Sequence, residues 1–358
     1  MSAYNFDNTA LRVVVITGGS SGIGRCTAAL FARHGWRVGL IARGPEGLLA
    51  SSRDVAAYGV RAATAQADVT DSVALLAAAN AIIAELGSID VWINCAGNGV
   101  YGRFGDVPEV EFQRVTDVTY HGTVNGTRVA LAHMRLRDQG IIINVCSAVA
   151  FHGLPLMSSY AGAKAAVRAF GQAVRGELRL ERSNIRVATV FPPAVNTPYF
   201  THATSHMGWP ARPARPLYQP EVVAQGIWQA AASGRAEVAI GGTTVVFSLA
   251  SRFVPGLVAW CMARLGMERQ LTRDQDIGGL QEPTLFVPSR RVFTVHGPFG
   301  RHARRWSTQV WLQRQRAAVA RGLRRSHAMP PSFPSPPKPP RSESGPELDG
   351  SEVPRSVS

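Results

Sequence analysis

Hydrophobic residues along the first 240 positions alternate between short β-branched runs and longer stretches with the spacing of amphipathic helices. The short runs predict strands at 11–17, 37–42, 60–66, 89–94, 141–145, 185–191 and 238–240. The longer stretches predict helices at 22–34, 46–58, 72–86, 108–137, 158–181 and 221–233. Strands that alternate with helices form right-handed βαβ units and a parallel sheet covered on both faces. The pattern therefore predicts a single α/β domain with a doubly wound parallel sheet of about seven strands.

The pattern changes beyond position 241. Residues 244–265 predict one or two apolar helices, and residues 282–300 predict an irregular arm. A basic stretch follows at 303–325, and if it is helical, one face holds three large apolar residues: Trp306, Val310 and Trp311. Between Pro330 and Pro340, seven of 11 residues are proline, so this segment cannot pack a core. We therefore expect a catalytic domain at 8–285, a basic C-terminal helical extension at 286–328 and a proline-rich disordered tail at 329–358.

The chain has 358 residues, 46% of them hydrophobic, which is enough to bury a large core. Its formal charge of +14 is concentrated near the C-terminus, where residues 286–358 hold 13 basic and 4 acidic side chains. No nucleic-acid-binding module accompanies this charge, so we expect no nucleic-acid partner. The apolar and basic segments together leave open a peripheral membrane contact through 244–325, or packing of the basic stretch back on the domain.

Metal binding and secretion are both disfavoured by the sequence. The four cysteines lack metal-type spacing. His202 and His206 have the spacing of a helical ligand pair, but no acid lies between them and no third ligand is evident, so we expect no metal. The N-terminus lacks a basic start followed by an apolar core, which predicts a cytoplasmic protein, with a peripheral membrane location left open.

A glycine-rich turn joins the first predicted strand to the first predicted helix. It reads Thr17-Gly18-Gly19-Ser20-Ser21-Gly22-Ile23-Gly24. Glycines allow the backbone to approach a pyrophosphate closely, and the helix N-terminus offers free N–H groups and the positive end of a dipole. A plain tight turn would also fit the glycines, but the strand-to-helix context favours dinucleotide binding.

The second predicted strand ends in Ala42 and Arg43. An NAD site usually has an acid near this point to bind the ribose 2′-hydroxyl, whereas a cation here suits the 2′-phosphate of NADP. Arg25, early in the first helix, is a second candidate for that phosphate. An ordinary surface arginine is the simpler alternative for Arg43. The pattern favours NADP(H) as cofactor.

Three residues form a candidate acid/base group: Ser147, Tyr160 and Lys164. Tyr160 and Lys164 are four residues apart on a predicted helix and so share one face. An ammonium group near a phenol favours the phenolate and lowers its pKa, which suits Tyr160 to general acid/base catalysis. Ser147 follows a predicted strand at the sheet edge where ligands bind.

With these motifs in this order, residues 11–240 resemble the short-chain dehydrogenase/reductase family, in its single-domain Rossmann-like branch. Asp68-Val69 matches the family's adenine contact, Asn94-Cys95-Ala96-Gly97 its Asn-Asn-Ala-Gly signature, and Pro192 to Thr197, including Val195, its nicotinamide-amide segment. The cofactor contacts implied by the resemblance are Thr17, Gly18, Ser20, Ser21, Gly22, Ile23, Gly24, Arg43, Asp68, Val69, Asn94, Ala96, Gly97, Tyr160, Lys164, Pro192, Val195 and Thr197.

The resemblance also implies roles. Tyr160 would exchange a proton with the substrate oxygen, Ser147 would orient that oxygen, and Lys164 would bind the nicotinamide ribose. Thr119 stands where the family has an asparagine that holds a relay water, which departs from the pattern. The family pairs the helices corresponding to 108–137 and 158–181 between subunits, which implies a homodimer or homotetramer.

The sequence thus predicts an NADP(H)-dependent oxidoreductase that moves hydride between nicotinamide and a small-molecule carbonyl or alcohol substrate. Aromatic residues in the loop 198–217 make a lipophilic substrate plausible, although they would equally suit core packing. Two alternatives rest on Thr119 and on the unusual C-terminal segments: a catalytically impaired NADP(H) sensor and a membrane-attached scaffold. The complete set of Ser147, Tyr160 and Lys164 argues against the sensor.

Overall fold

The computed structural model describes residues 12–312 and residue 315. Its centre is a seven-stranded sheet in which each strand pairs in parallel with its neighbours. The strands are β1 (Val13–Thr17), β2 (Arg37–Ala42), β3 (Ala62–Gln66), β4 (Val91–Asn94), β5 (Ile141–Val145), β6 (Arg186–Phe191) and β7 (Glu237–Ala239). The predicted doubly wound α/β sheet is confirmed, with strand ends within two residues of the predicted ones.

Helices cover both faces of this sheet. They are α1 (Gly22–Arg33), α2 (Pro45–Ala56), α3 (Ser72–Leu86), α4 (Glu109–Thr116), α5 (Gly122–Arg135), α6 (Ser158–Leu180) and α7 (Pro220–Ser233). The single long helix predicted at 108–137 is wrong in one respect. A π-helical segment, Asp117–His121, separates α4 from α5 and adds a residue to the turn at this point.

The strand order is β7-β6-β5-β4-β1-β2-β3. The chain winds outward from β1 through β2 to β3, then returns to the other side of β1 and winds outward again from β4 to β7. At this change of direction, the connections after β1 and β4 leave toward opposite faces and open a crevice at the carboxyl ends of the strands. Open α/β sheets bind their ligands in such a crevice.

The sheet interior explains why the central strands are continuously apolar. Val13, Val14, Val15 and Ile16 are all fully buried, because successive side chains of β1 face opposite layers of helices. Val14 and Ile16 belong to the cluster on one side of the sheet, and Val13 and Val15 belong to the cluster on the other. This packing fixes the strand ends that carry the site.

The chain beyond β7 forms α8 (Gly242–Phe253) and α9 (Pro255–Leu265), then the short helix Gln275–Gly279 and an irregular arm. The sequence predicted one or two apolar helices and an irregular arm, and the structure has two such helices followed by an arm. Among the residues that the structure describes, no single helix is long and apolar enough to cross a membrane. Helices α8 and α9 meet that test only as a pair, and they are bent by 117° relative to each other.

The described start of the basic stretch packs against the domain. Val310 is buried, the Gln229 side-chain amide donates to its carbonyl (2.9 Å), and Gln309 accepts from the Gly241 N–H (2.8 Å). Trp306 is exposed, whereas Val310 is buried. The prediction that Trp306 shares one face with Val310 and Trp311 is therefore wrong. The proline-rich tail at 329–358 lies outside the described residues.

Candidate active site

A cavity of about 500 Å³ opens at the carboxyl ends of the sheet strands. Its walls come from the glycine turn, the ends of β2 to β6, helix α6, the loop after β6 and helix α8. The predicted residues in the wall are Gly18, Ser20, Ser21, Gly22, Ile23, Gly24, Arg43, Asp68, Val69, Ala96, Gly97, Ser147, Tyr160, Lys164, Pro192, Val195 and Thr197. Most of the residues selected from sequence therefore meet at one site.

The glycine turn has a backbone that side chains would block. Gly18 and Gly22 have φ angles of +69° and +51°, in the left-handed region that favours glycine. A Cβ at Gly18 would lie 2.7 Å from the Ala96 Cα, and one at Gly24 would overlap the Gly18 carbonyl. Helix α1 begins at Gly22, which lines the cavity, so the N-terminus of the helix lies at the cavity wall. The cradle fits the pyrophosphate of a dinucleotide.

Arg43 lies at the cavity wall but is not a free cation. Its Nη2 donates to the carbonyl of Thr284 (2.6 Å), and its Nη1 donates to the carbonyls of Phe286 (3.0 Å) and Leu285 (3.3 Å). Its guanidinium is also 3.9 Å from the Asp68 carboxylate. Arg43 thus lies in the cavity wall, with two of its guanidinium nitrogens bonded to carbonyls of the C-terminal arm.

Arg25, the second candidate for that phosphate, is engaged elsewhere, and the prediction is wrong for it. Its Nε donates to Asp54 and its Nη1 to the Phe293 carbonyl, both at 2.7 Å. It does not line the cavity. These bonds hold the Arg25 guanidinium away from the cavity wall.

Asp68, the residue that the resemblance assigns to the adenine contact, lies in the cavity wall. Burial tends to raise the pKa of its carboxyl, but hydrogen bonds from Thr70 and Arg114 outweigh this and lower it. Asp68 is therefore ionised at neutral pH. Its neighbour Val69 forms part of the same wall.

Tyr160 and Lys164 lie on α6, facing the end of β5, where Ser147 follows. Lys164 is buried, and its Nζ donates to the Val145 carbonyl (2.7 Å) while lying 5.6 Å from the centroid of the Tyr160 ring. Burial raises the pKa of Tyr160, and a hydrogen bond with the Ser147 hydroxyl lowers it only in part. Burial also lowers the pKa of Lys164. The expected net lowering of the Tyr160 pKa by Lys164 is therefore wrong in direction, because burial dominates.

Two cysteines share this wall. Burial raises the pKa of Cys95 to about 12 and that of Cys146 to about 11. Both are therefore neutral thiols near pH 7, which argues against nucleophilic cysteine chemistry here.

Thr119 does not line the cavity. It is fully buried in the π-helical segment, and its hydroxyl donates to the Asn98 carbonyl (3.4 Å). A Cβ on Gly97 would lie 3.7 Å from the Lys164 Nζ and 3.8 Å from the Thr119 Oγ1. Thr119 thus lies behind Gly97 and outside the cavity wall, and the relay position that the resemblance implies for it stays a prediction.

Two predicted cofactor contacts are structural instead. The Thr17 hydroxyl accepts from the Cys95 N–H (3.2 Å) and donates to the Ile93 carbonyl, which ties the end of β1 to the end of β4. Asn94 is buried, and its side chain accepts from Trp92 Nε1 (2.7 Å) and donates to Asn144 (2.9 Å). Neither residue lines the cavity, because their short polar side chains are used to join neighbouring strands.

Sequence reasoning missed one polar wall residue, Asn98, and treated Tyr199 only as one of the aromatic residues in the loop 198–217. Within the described part of the chain, the Asn98 amide and the Tyr199 hydroxyl are buried without a hydrogen-bond partner. The Tyr199 ring centroid lies 5.5 Å from that of Tyr160. Asn98 directly follows a recognised motif and Tyr199 lies two residues after Thr197, so adjacency to motifs was the available signal.

The two histidines with the spacing of a ligand pair, His202 and His206, lie in different surroundings. His202 lines the cavity, and its Nε2 lies 2.7 Å from the Val292 carbonyl, whereas His206 pairs with Glu111 at the same distance. Residues 12–312 and 315 contain no group of three or more potential metal-ligating side chains.

Beyond Tyr160 the cavity wall is largely apolar. The wall there holds Tyr101, Leu154, Met157, Phe200, Phe247 and Met262, together with three polar residues: Arg212, Arg215 and Gln270. Two of these residues, Phe247 and Met262, come from helices α8 and α9. The helices after the sheet therefore help to build the end of the cavity next to the acid/base group.

Comparison with known proteins agrees with this geometry. Residues 12–208 match the family model described as short chain dehydrogenase. An uncharacterized oxidoreductase of Bacillus subtilis is 32% identical over 256 residues, which are 71% of this chain and 72% of the relative. The 3-ketodihydrosphingosine reductase of Bos taurus is 28% identical over 243 residues, 66% of this chain and 73% of that protein.

Solved structures with the same architecture contain different cofactors. A short chain dehydrogenase from Mycobacterium paratuberculosis bound to NAD is 25% identical, with a TM-score of 0.57, and the match covers 64% of this chain and 96% of that one. A variant of the actinorhodin polyketide ketoreductase with NADPH is 25% identical, with a TM-score of 0.59. The match covers 66% of this chain and 98% of that one. The fold alone therefore does not select NAD or NADP.

Proposed function

Because this chain belongs to the short-chain dehydrogenase family and is an oxidoreductase, we propose that it uses NADP(H) to interconvert a carbonyl and an alcohol on a lipophilic substrate. The observation that carries the proposal is the position of Tyr160. Its side chain shares one cavity with the glycine turn, with Ser147 and with Lys164. An acid/base group therefore lies beside a cradle suited to a dinucleotide.

Tyr160 supplies the proton for reduction and accepts it in oxidation. When bound, the nicotinamide exchanges a hydride with the reacting carbon. The Tyr160 hydroxyl donates its proton to the carbonyl oxygen as that oxygen gains negative charge. Ser147, which hydrogen-bonds with Tyr160, donates a second hydrogen bond to the same oxygen and fixes its position.

Lys164 acts on the same proton through its charge. Its ammonium lies over the Tyr160 ring and is anchored by the Val145 carbonyl, so it favours the phenolate that forms when the proton leaves. In the unreacted site burial raises the pKa of Tyr160, so the phenol stays protonated near neutral pH. That state suits carbonyl reduction.

NADP(H) is favoured over NAD(H) by the residues at the end of β2. Ala42 stands where an acid would bind the 2′-hydroxyl, and Arg43 lies in the cavity wall beside it. A guanidinium forms charge-assisted hydrogen bonds with a phosphate that a ribose hydroxyl cannot match. Arg43 is therefore the proposed 2′-phosphate ligand.

A lipophilic substrate is supported by the apolar end of the cavity, next to Tyr160. A ligand there would lie between aromatic, leucine and methionine side chains, with its polar group at Ser147. The name of one relative, a 3-ketodihydrosphingosine reductase, fits a long-chain ketone. We therefore expect activity to increase with the length of the apolar chain.

Contact with a membrane surface forms part of the same proposal, alongside a cytoplasmic location. Helices α8 and α9, with the residue between them, expose six large apolar side chains: Val246, Leu249, Phe253, Val254, Leu257 and Trp260. Residues 238–267 contain Arg252 and Arg264 but no acid, so the charge of this surface complements an anionic bilayer. Because the same helices line the cavity, a bilayer substrate would have a short path to it.

Vesicle binding tests this contact. Phe253→Ser combined with Trp260→Ser should abolish sedimentation with phosphatidylcholine vesicles that contain phosphatidylserine. Val73→Ser, at an equally exposed position on α3, serves as the matched control and should leave sedimentation unchanged. Equal sedimentation of all three proteins, or none by the unmodified protein, would contradict the membrane contact.

The proposed assembly is a homodimer or homotetramer formed through α4, α5 and α6. Large apolar side chains are exposed on or beside these helices: Phe104, Val110, Leu136 and Leu180. Light scattering with size-exclusion chromatography should give a mass of two or four chains, and a monomer would contradict this assembly.

A substrate screen tests the proposed reaction. Ketones of increasing chain length are offered with NADPH, and the matching alcohols with NADP, while nicotinamide absorbance is followed. We expect reduction of the longer ketones at neutral pH. Binding of NADPH without turnover of any member would support the sensor alternative instead.

A further inference from the structure

Residues 282–299, here called the strap, run across the cofactor half of the cavity. At one end the N–H of Glu282 donates to Thr201 (2.9 Å), and that of Thr284 donates to His202 (3.0 Å). At the other end the Phe299 N–H donates to the Asn196 side chain (3.0 Å). The strap is therefore tied at both ends to the loop after β6, and its middle crosses to the glycine turn.

Carbonyl oxygens of the strap accept hydrogen bonds from donors of the cofactor cradle at two places, residues 284–286 and Thr294. The N–H of Gly22, the first residue of α1, donates to the Thr294 carbonyl (3.0 Å). Arg43 donates to three further strap carbonyls, those of residues 284, 285 and 286. Strap residues also line the cavity: Thr284, Pro288, Ser289, Val292 and Phe293.

A carboxylate holds the strap in this shape. Glu282 accepts from the Ser289 hydroxyl (2.6 Å), from the Arg290 N–H (2.7 Å) and from the Val292 N–H (3.1 Å). Its pKa is lowered by these hydrogen bonds against a raising effect of burial. Glu282 thus closes residues 282–292 into a loop without itself lining the cavity.

We propose that the strap is autoinhibitory: its backbone carbonyls occupy donors that the phosphates of NADP(H) need, so binding of the cofactor opens the strap. This inference rests on the proposed function, which assigns those donors to the dinucleotide. One N–H cannot point at a carbonyl oxygen and a phosphate oxygen at once. A strap carbonyl and a cofactor phosphate therefore cannot accept from the same donor at the same time.

Charge decides which ligand displaces the other. A hydrogen bond from a guanidinium to an anionic phosphate is roughly twice as strong as one between neutral groups. The 2′-phosphate of NADPH therefore competes for Arg43 better than the strap carbonyls do, whereas NADH brings no group to that position. The strap consequently adds to the preference for NADPH, because NADH must release the same segment with fewer contacts.

Limited trypsin digestion with and without NADPH tests the inference on the full chain. Arg290 and Arg291 are exposed in the strap and provide the cleavage sites, which mass spectrometry of the fragments identifies. We expect NADPH to accelerate cleavage at these two residues, and NADH to accelerate it less. Protection of the two sites by NADPH would overturn the inference, because it would mean that the strap closes over the cofactor.

The variant Glu282→Gln tests the same inference by calorimetry. Weakening the three hydrogen bonds to this carboxylate should loosen the strap and raise NADPH affinity by about three- to tenfold. Glu85→Gln, which removes an exposed carboxylate on α3, is the matched control and should leave affinity unchanged. Unchanged or lower affinity of Glu282→Gln would contradict the strap as a competitor. Failure of the unmodified protein and of Glu282→Gln to bind NADPH would instead contradict the proposed cofactor and, with it, the strap proposal.

Discussion

The Lys164 ammonium lies 5.6 Å from the centroid of the Tyr160 ring, one helical turn along α6, and is anchored to the Val145 carbonyl at 2.7 Å. This hydrogen bond holds the Lys164 ammonium near the Tyr160 ring and ties α6 to the end of β5. The relationship places a charge where it can favour the phenolate once the proton leaves. Burial of the phenol opposes that effect and sets its resting protonation state.

The pH dependence of alcohol oxidation and of carbonyl reduction follows from the raised pKa of Tyr160. Oxidation needs the phenolate as base, and its fraction grows with pH until the raised pKa is passed. Reduction needs the protonated phenol, which persists through neutral into alkaline pH. Pre-steady-state rates should therefore show oxidation rising toward and beyond pH ~10, the ordinary tyrosine pKa, and reduction flat across neutral pH. An oxidation rate that reaches its plateau below pH ~7 would mean that the charge of Lys164 lowers the pKa of Tyr160 by more than burial raises it.

Arg43→Ala tests the cofactor preference. We expect the unmodified protein to bind NADPH at least about tenfold more tightly than NADH, since a charge-assisted contact contributes about 1.5 to 3 kcal/mol. The variant should lose most of this difference through weaker NADPH binding, while NADH affinity does not fall. Calorimetric titrations of both cofactors measure it. Equal affinities in the unmodified protein would contradict Arg43 as the phosphate ligand.

Truncation separates the two parts of the C-terminal segment. Ending the chain after His302 removes buried Val310 and the hydrogen bonds of Gln309, which together contribute about 3 kcal/mol or more. For a domain of this size, thermal unfolding should occur roughly 5 °C lower. Ending the chain after Ala328 should leave the melting temperature, NADPH affinity and turnover unchanged, as the sequence of 329–358 predicts. A large loss of stability from the shorter deletion would refute that prediction.

The fold and the centre of the site were predictable because their signals are local. Alternating apolar runs predicted each strand of the sheet, and the predicted bounds of the helix at 72–86 are the observed ones. Ser147, Tyr160 and Lys164 lie close together because parallel strands and the helices after them bring their ends to one edge. Such placement follows from element order and needs no knowledge of long-range contacts.

The features of the site that the sequence did not predict depend on contacts between residues far apart in the chain. Arg43 meets carbonyls more than 240 positions away, and nothing in the pattern around residues 282–299 indicates where that segment lies. Thr17 and Asn94 matched a motif, yet their side chains bond to neighbouring strands. A motif predicts that a residue type is needed, but packing decides whether its side chain faces the ligand or supports the wall.

The most direct test of the central claim is the turnover of Tyr160→Phe with a substrate that the unmodified protein reduces. Removing one hydroxyl should lower kcat by about 10² to 10⁴ while NADPH affinity stays within about twofold, because only the proton-transfer group is lost. Tyr120→Phe, outside the cavity, is the matched control and should keep full activity. If Tyr160→Phe retained about a tenth or more of the activity with NADPH bound normally, Tyr160 would not be the acid/base.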